Sequence, residues 1–233
     1  LALDQGTTSS RAILFDGEGT IRGLAQTPTA QLYPNPGWVN QDANEIWRTT
    51  LEAGRAALAQ AAVSPRDVAA IGIANQRETT IVWDRRTGEP VAEAIVWQSR
   101  QSVPQVEALI ARGQAEVMQS ITGLVPDAYF SATKIAWLFQ ERPALCRRAE
   151  AGELAFGTVD SWLLWNLTGG AVHAIEISNA SRTMLFDLRR LDWSEPLLAD
   201  LAIPRPLLPE VVASSGIVAE STPELFGAPI PIA

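Results

Sequence analysis

The chain has 233 residues, of which 47% are hydrophobic and 19% charged, with a formal net charge of −8 at pH 7. This is the balance of a globular chain with a core, and its acidic charge argues against nonspecific binding to nucleic acid or an anionic membrane, both normally met by a basic face. No stretch approaches the roughly 18 apolar residues of a membrane span, no signal-like segment opens the chain, and the single Cys146 cannot form an internal disulfide, which fits a cytoplasmic protein.

The first apolar run, Leu1-Ala2-Leu3, ends at Asp4-Gln5-Gly6 and reads as a strand entered part-way. Residues 11–16 read as a second strand and 20–26 as a third, joined by Gly17-Glu18-Gly19. Strands this close leave no room for crossover helices, so they predict an antiparallel meander. After a Pro- and Gly-rich loop (33–38), Asp42 and Glu45 form a capping-box pattern. The helix behind it carries Trp47, Leu51, Leu58 and Ala62 on one face, with Gly54 leaving room for a neighbour. Residues 68–74 predict a buried strand, followed by strands at 79–83 and 94–97 around a turn at 84–90. Helices are expected at 103–112, 115–120, 131–140 and 160–167, the last closed by Gly169-Gly170. The segment 142–233 is less periodic and rich in Pro. Strand, strand, strand, helix, strand is the element order of a ribonuclease H-like α/β domain: a mixed sheet that opens with a three-strand antiparallel meander and carries helices on both faces.

Two polar segments stand at strand ends. In Asp4-Gln5-Gly6-Thr7-Thr8-Ser9-Ser10-Arg11, Gly6 permits a tight turn and the hydroxyl run offers N–H and O–H donors to phosphate oxygens. Asp4 is suited to a hydrated Mg2+ and Arg11 to phosphate charge; a plain β-turn accounts for the same residues equally well. A Walker-type loop is excluded, because Lys134 is the only lysine and lies in Ala-Thr-Lys-Ile rather than Gly-Lys-Ser/Thr. The second segment, Asn75-Gln76-Arg77-Glu78-Thr79-Thr80, follows the apolar run 71–74. A carboxylate that accepts from two hydroxyls and a guanidinium fork suit a polyol, although a surface Arg–Glu pair is the common alternative.

Trp97 and Tyr129 could cover a polyol's carbon face and bond its oxygen, whereas Trp47, Trp83, Trp137, Trp162 and Trp165 are assigned to packing. His173, the only histidine, reads as a surface or strand residue rather than a base or metal ligand. Cys146, beside Arg147 and Arg148, reads as a bystander on a helix, although those cations could lower its pKa.

Taken together, the segments 4–11, 33–39, 75–80, 95–98, 156–160 and 179–185 resemble the carbohydrate kinase family with the actin-like ATPase fold, and within it the branch that phosphorylates glycerol. The resemblance runs along residues 1–233 as one N-terminal actin-like domain. It implies that Thr7, Thr8 and Ser9 contact the phosphates of ATP, that Arg11 meets the β- or γ-phosphate, and that Asp4 holds Mg2+ through water. It implies that Arg77, Glu78 and Tyr129 bond glycerol while Trp97 packs on its carbon chain. The implied reaction transfers the γ-phosphoryl group of ATP to glycerol, giving sn-glycerol 3-phosphate. The proton-accepting Asp and an adenine-binding domain are implied beyond Ala233, so no catalytic base is expected among these residues, and the chain alone is expected to be inactive. Self-association of the parent is left open.

Three positions depart from the family pattern. Asn40 stands where Glu is usual, Gln101 where a second Arg often follows, and the segment 224–229 is shorter than the loop with which some members bind fructose 1,6-bisphosphate, which puts that inhibition in doubt. Two other readings remain open: a kinase of the same family for another polyol or sugar, and a non-catalytic actin-like nucleotide-binding module.

Overall fold

A computed structural model describes all 233 residues. Strands β1 (Ala2–Gln5), β2 (Ser9–Phe15) and β3 (Ile21–Pro28) form the expected antiparallel meander. After β4 (Asn40–Gln41), helix α1 (Ala43–Ala61) crosses back, and β5 (Gly72–Asn75) joins parallel to β1, giving the order β3-β2-β1-β5. This is a mixed α/β sheet opening.

Helix α1 lies on one face of that sheet, but of the predicted stripe only Leu58 is buried. Its buried positions are Ala43, Ile46, Thr49, Thr50, Ala53, Gly54, Ala57 and Leu58, whereas Trp47 and Leu51 are only part-buried and Ala62 is the left-handed cap at φ 51°. Small residues win because the helix sits very close: a Cβ at Gly23 of β3 would stand 2.2 Å from the Ala57 carbonyl oxygen. Gly54 does leave room, with Phe226 and Leu3 against it. The capping box is half made. Asp42 accepts from the Asn44 N–H, while Glu45 turns to the Ala30 N–H and to Arg48.

The buried strand expected at 68–74 is shorter and less buried: Pro65–Asp67 forms a 3-10 turn capped by Ser64, Ile71 bridges to Ile232, and β5 starts only at Gly72, with Ile73 half-buried and Ala74 exposed. Strands β6 (Ile81–Asp84) and β7 (Ala94–Ile95) follow, β7 paired with β4. Helices α2 (Val103–Ala111), α3 (Ala115–Thr122) and α4 (Ser131–Glu141) match the predicted periodicity. The less periodic region is ordered too: α5 (Pro143–Glu150), then β8 (Leu154–Gly157) antiparallel to β6, then α6 (Val159–Leu167), closed by Gly169 and Gly170 at φ 61° and 84°. Helix α6 packs against β5 at the far edge of the four-stranded sheet. Strand β9 (Ala174–Glu176) leads into α7 (Ile177–Ala180), and residues 210–212 later pair parallel with β9.

The largest apolar cluster lies under α4 and α5 and contains Ile135, Phe139, Leu154, Phe156, Met184, Phe186 and Trp193. A second fills the space between α1 and the four-stranded sheet. Residues 223–226 form one helical turn whose Phe226 seats on Gly54, held by Arg55 donating to the Leu225 carbonyl at 2.7 Å. No helix is long and apolar enough to cross a membrane.

Candidate active site

At the ends of β1 and β2, the Gly6 N–H donates to the Ser9 carbonyl at 2.9 Å and closes a tight turn. Asp4 and Arg11 are cross-strand partners, their charged groups 3.8 Å apart and both side chains over 40% exposed. Gln26 ties the same face together, accepting from Arg11 and donating to Ser9 Oγ at 2.7 Å. Thr8 is exposed, and Thr7 and Ser9 are half-buried. Ser10 points the other way. It is fully buried against the hydroxyls of Thr49 and Thr50 at 2.8 and 3.1 Å, so it anchors the turn and offers nothing to a ligand.

Trp97 reaches this turn from the loop after β7, its Nε1–H donating to Thr7 Oγ1 at 3.0 Å. Thr7 therefore keeps its own hydroxyl proton free to donate. The Tyr129 ring stands 5.4 Å from Trp97, and the Arg182 guanidinium lies over both Tyr129 and Phe130. Arg182 Nε donates to Glu78 Oε1 at 2.7 Å, and the Glu78 side chain is only 3% exposed. Thr7, Trp97, Tyr129, Arg182 and Glu78 thus form one continuous run of contacts. Glu78 also adopts φ 62°, the left-handed region, which costs a residue with a Cβ about 1 to 3 kcal/mol unless its surroundings hold it there.

A buried amide network joins the turn to the second polar segment. Gln76 Nε2 donates to Gln5 Oε1 at 3.0 Å and to Gln41 Oε1 at 2.8 Å; Gln41 Nε2 donates to the Thr7 carbonyl at 2.7 Å. Thr79 Oγ1 donates to Gln76 Oε1 and accepts from the Trp97 N–H. These bonds tie the two segments together through buried side chains.

Arg77 parts company with its neighbours. It is exposed and lines a cavity of about 410 Å³ with Asn75, Asp160, Glu176, Ser178 and Asn179, while Glu78 turns inward. In that cavity burial pushes the Asp160 carboxyl up to about 6, against donors from Thr158 and Glu176. Burial would raise Glu176 as well, but donors from Ser178, Ser214 and Asn179 hold it below the ordinary carboxylate value.

His173, expected on the surface or in a strand, is half-buried and directly precedes β9, its carbonyl accepting from the Glu210 N–H. Arg85 must donate to its Nδ1 at 2.9 Å, which leaves Nε2–H to donate to the Phe156 carbonyl at 2.8 Å, and burial pushes its pKa down to about 4. Both nitrogens are committed, as befits a neutral packing histidine. Cys146 lies on α5 with its thiol raised by burial and by Glu150, so Arg147 does not produce the lowered value its position suggested. Asn40 and Gln101 line one cavity of about 240 Å³ beside Trp38 and Trp137.

Sequence reasoning missed Gln5, Gln41, Lys134 and Arg182. The sign for Lys134 was available: a lone lysine inside the apolar stretch Ala132–Phe139 of a helix. Arg182 had no such sign, since its partner Glu78 lies 104 residues away.

The glycerol kinase of Bordetella parapertussis is 58% identical over the whole chain, and the glycerol kinase 2 of Thermotoga maritima 51%. The chain spans about half the length of these curated relatives, 46% of the first. Among solved structures, Plasmodium falciparum glycerol kinase with ADP superposes with a TM-score of 0.91 at 30% identity, over 98% of this chain and 46% of that one. A xylulose kinase from Rhodospirillum rubrum gives 0.85 at 23% identity, over 99% of this chain and 47% of that one, a likeness of fold. The model of the FGGY family of carbohydrate kinases, N-terminal domain, matches residues 1–232, and the chain belongs to that family.

Proposed function

We propose that the protein carrying this chain phosphorylates glycerol with ATP, giving sn-glycerol 3-phosphate and ADP. The supporting observation is the contact run from Thr7 through Trp97 and Tyr129 to Arg182 and Glu78, which sets a hydroxyl-rich turn directly beside a wall of aromatic and buried polar groups. In this reading Thr7, Thr8 and Ser9 donate to the phosphates, and Arg11 balances their charge. Asp4, open to solvent, is suited to hold Mg2+ through water; when bound, Mg2+ neutralises charge developing on the phosphate oxygens. Glu78 accepts from the polyol hydroxyls with the lone pairs that Arg182 leaves free, Tyr129 bonds one hydroxyl and Trp97 covers the carbon chain, while Arg77 would have to reach the polyol from the neighbouring cavity that it lines with Asp160 and Glu176.

Fixing the Thr7 turn and the polyol wall in one body supports catalysis by alignment: acceptor hydroxyl and phosphoryl group are presented at a set distance. The carboxylates on the turn and the wall each face a guanidinium, Asp4 that of Arg11 and Glu78 that of Arg182. In this reading they bind and orient rather than take up the hydroxyl proton, and the 233 residues alone are proposed to bind polyol without turning it over.

A coupled ADP assay on the full-length gene product with glycerol, xylulose and erythritol tests the reading. The expected result is the highest kcat/KM on glycerol; preference for a sugar overturns the substrate assignment, and nucleotide binding without turnover of any of the three favours a binding module.

A further inference from the structure

Lys134 is the only lysine and is fully buried on α4. Its ammonium donates to two main-chain carbonyl oxygens, those of Glu78 at 3.0 Å and of Tyr129. These are the two residues assigned the substrate's hydroxyls, and they stand on separate loops brought together from 51 positions apart in the chain. A buried ammonium is among the costliest groups in a core, and an apolar residue of its length would fill the same space without that cost. What the lysine supplies and an apolar residue cannot is a pair of donors aimed in different directions from one atom.

The Glu78 end of the clamp explains more. The Glu78 carbonyl also receives the hydroxyls of Thr80 at 3.2 Å and Ser131 at 3.3 Å, so two of its three side-chain donors come from the first turn of α4 and hold the peptide that follows a left-handed residue. With its carbonyl drawn toward α4, Glu78 keeps the φ of 62° that separates its side chain from that of Arg77. The same α4 turn is docked from the other side, where the Ala132 N–H donates to the Thr183 carbonyl at 2.8 Å, next to Arg182. Helix α4 is therefore bonded to the segments that carry Glu78, Tyr129 and Arg182, three of the four side chains of the wall.

Resting on the glycerol kinase reading above, we propose that Lys134 is a positioning residue for the polyol site: by clamping the Glu78 and Tyr129 carbonyls it fixes the spacing of the side chains that bind the substrate. It touches neither substrate nor the Thr7 turn, so its effect is confined to the polyol side of the reaction.

Lys134→Met in the full-length gene product keeps the bulk of the side chain and removes both donors. Glycerol KM is expected to rise about tenfold, the equivalent of about 1.4 kcal/mol, with ATP KM within about twofold of wild type. Lys134→Gln, whose shorter side chain still carries two N–H donors but buries an acceptor oxygen as well, is expected to fall between. A lowered unfolding midpoint with glycerol KM unchanged would make Lys134 a core residue only and overturn the proposal, as would equal rises in both KM values. Should Lys134→Met fail to fold, Ser131→Ala removes the other α4 donor to the Glu78 carbonyl and leaves that of Thr80; a glycerol KM raised two- to threefold with ATP KM unchanged supports the clamp, and no change in either overturns it. Wild-type turnover is measured first with glycerol, xylulose and erythritol: preference for a different polyol defeats the substrate assignment alone, and the variants are then scored on that substrate.

Discussion

The proposed phosphate turn keeps its charges in water, whereas the proposed polyol wall keeps them out of it. Asp4 and Arg11 face each other at 3.8 Å with over 40% of each side chain exposed, a pairing that solvent weakens and that a charged ligand can rearrange at little cost. Glu78 is 3% exposed, locked to Arg182 at 2.7 Å and backed by the buried Lys134. A nucleotide must come and go while its phosphates are stabilised, which suits groups that are adaptable and solvated. A small polyol offers few contacts, so discrimination must come from polar groups already fixed before it arrives. The contrast is therefore one of preorganisation, and it orders the expected effects of mutation.

The largest effect is expected at Arg182. Arg182→Met leaves the Glu78 carboxylate buried beside an apolar chain, and breaking such a pair costs about 3 to 5 kcal/mol, toward the lower end here because a third of Arg182 is exposed. Urea unfolding measures it. A loss below about 1 kcal/mol would mean that the wall is as solvated as the turn, and the contrast would fail.

Next comes the pH dependence of Lys134, whose pKa burial pushes down to about 7 while Glu78 and Asp127 pull it upward. Between pH 7 and the ordinary lysine value near 10.4, the unfolded chain holds a proton that the folded chain has released. Unfolding free energy therefore rises with pH in this window, by up to about 1.4 kcal/mol per unit, and has no such slope below it. Lys134→Met removes the slope, so wild type and variant are expected to diverge above pH 7 in urea titrations at successive pH values. Parallel curves would show that the ammonium is solvated.

These buried groups also mark where reading the sequence stopped. The meander, the α1 helix and the Thr7 turn are set by neighbours in the chain: alternating apolar residues, turn glycines, a capping Asp42. The interior of the wall depends on partners that local pattern cannot connect, with Glu78 and Arg182 separated by 104 residues and Glu78 and Lys134 by 56. The α1 face departs from its predicted stripe for a related reason. Large apolar side chains dominate a periodicity count, yet apart from Ile46 and Leu58 the buried stripe is taken by small residues, because helix and sheet approach so closely at Gly23 that Trp47 and Leu51 stand at its edge. His173 reads only as a surface or strand residue because a lone histidine has no sequence sign of Arg85 and Phe156 waiting for its two nitrogens.

The link between the two walls is expected to show an intermediate effect. Gln76→Leu removes the amide that joins Gln5, Gln41 and Thr79 and leaves several buried polar atoms without partners, at a cost of about 1 to 3 kcal/mol. Because Gln41 holds the Thr7 carbonyl, the variant is also expected to reduce the effect of bound glycerol on nucleotide affinity. Calorimetric titration of nucleotide with and without glycerol measures this coupling; an unchanged ratio would mean that the walls act independently.

The smallest effect on stability, and the sharpest separation of stability from function, is expected at Asp4. Asp4→Asn removes an exposed partner of Arg11, and such pairs contribute about 0 to 1 kcal/mol, so the unfolding midpoint should barely move. The carboxylate is nevertheless the one charged acceptor on the turn's exposed face, and an amide is a poor partner for the waters of a hydrated Mg2+. Nucleotide affinity measured across a magnesium series should therefore lose most of its metal dependence in the variant, while glycerol KM stays near wild type because nothing on the polyol wall touches Asp4. If Asp4→Asn instead destabilised the fold as much as Arg182→Met, the turn would be as rigidly built as the wall, and adaptability could not be what distinguishes them.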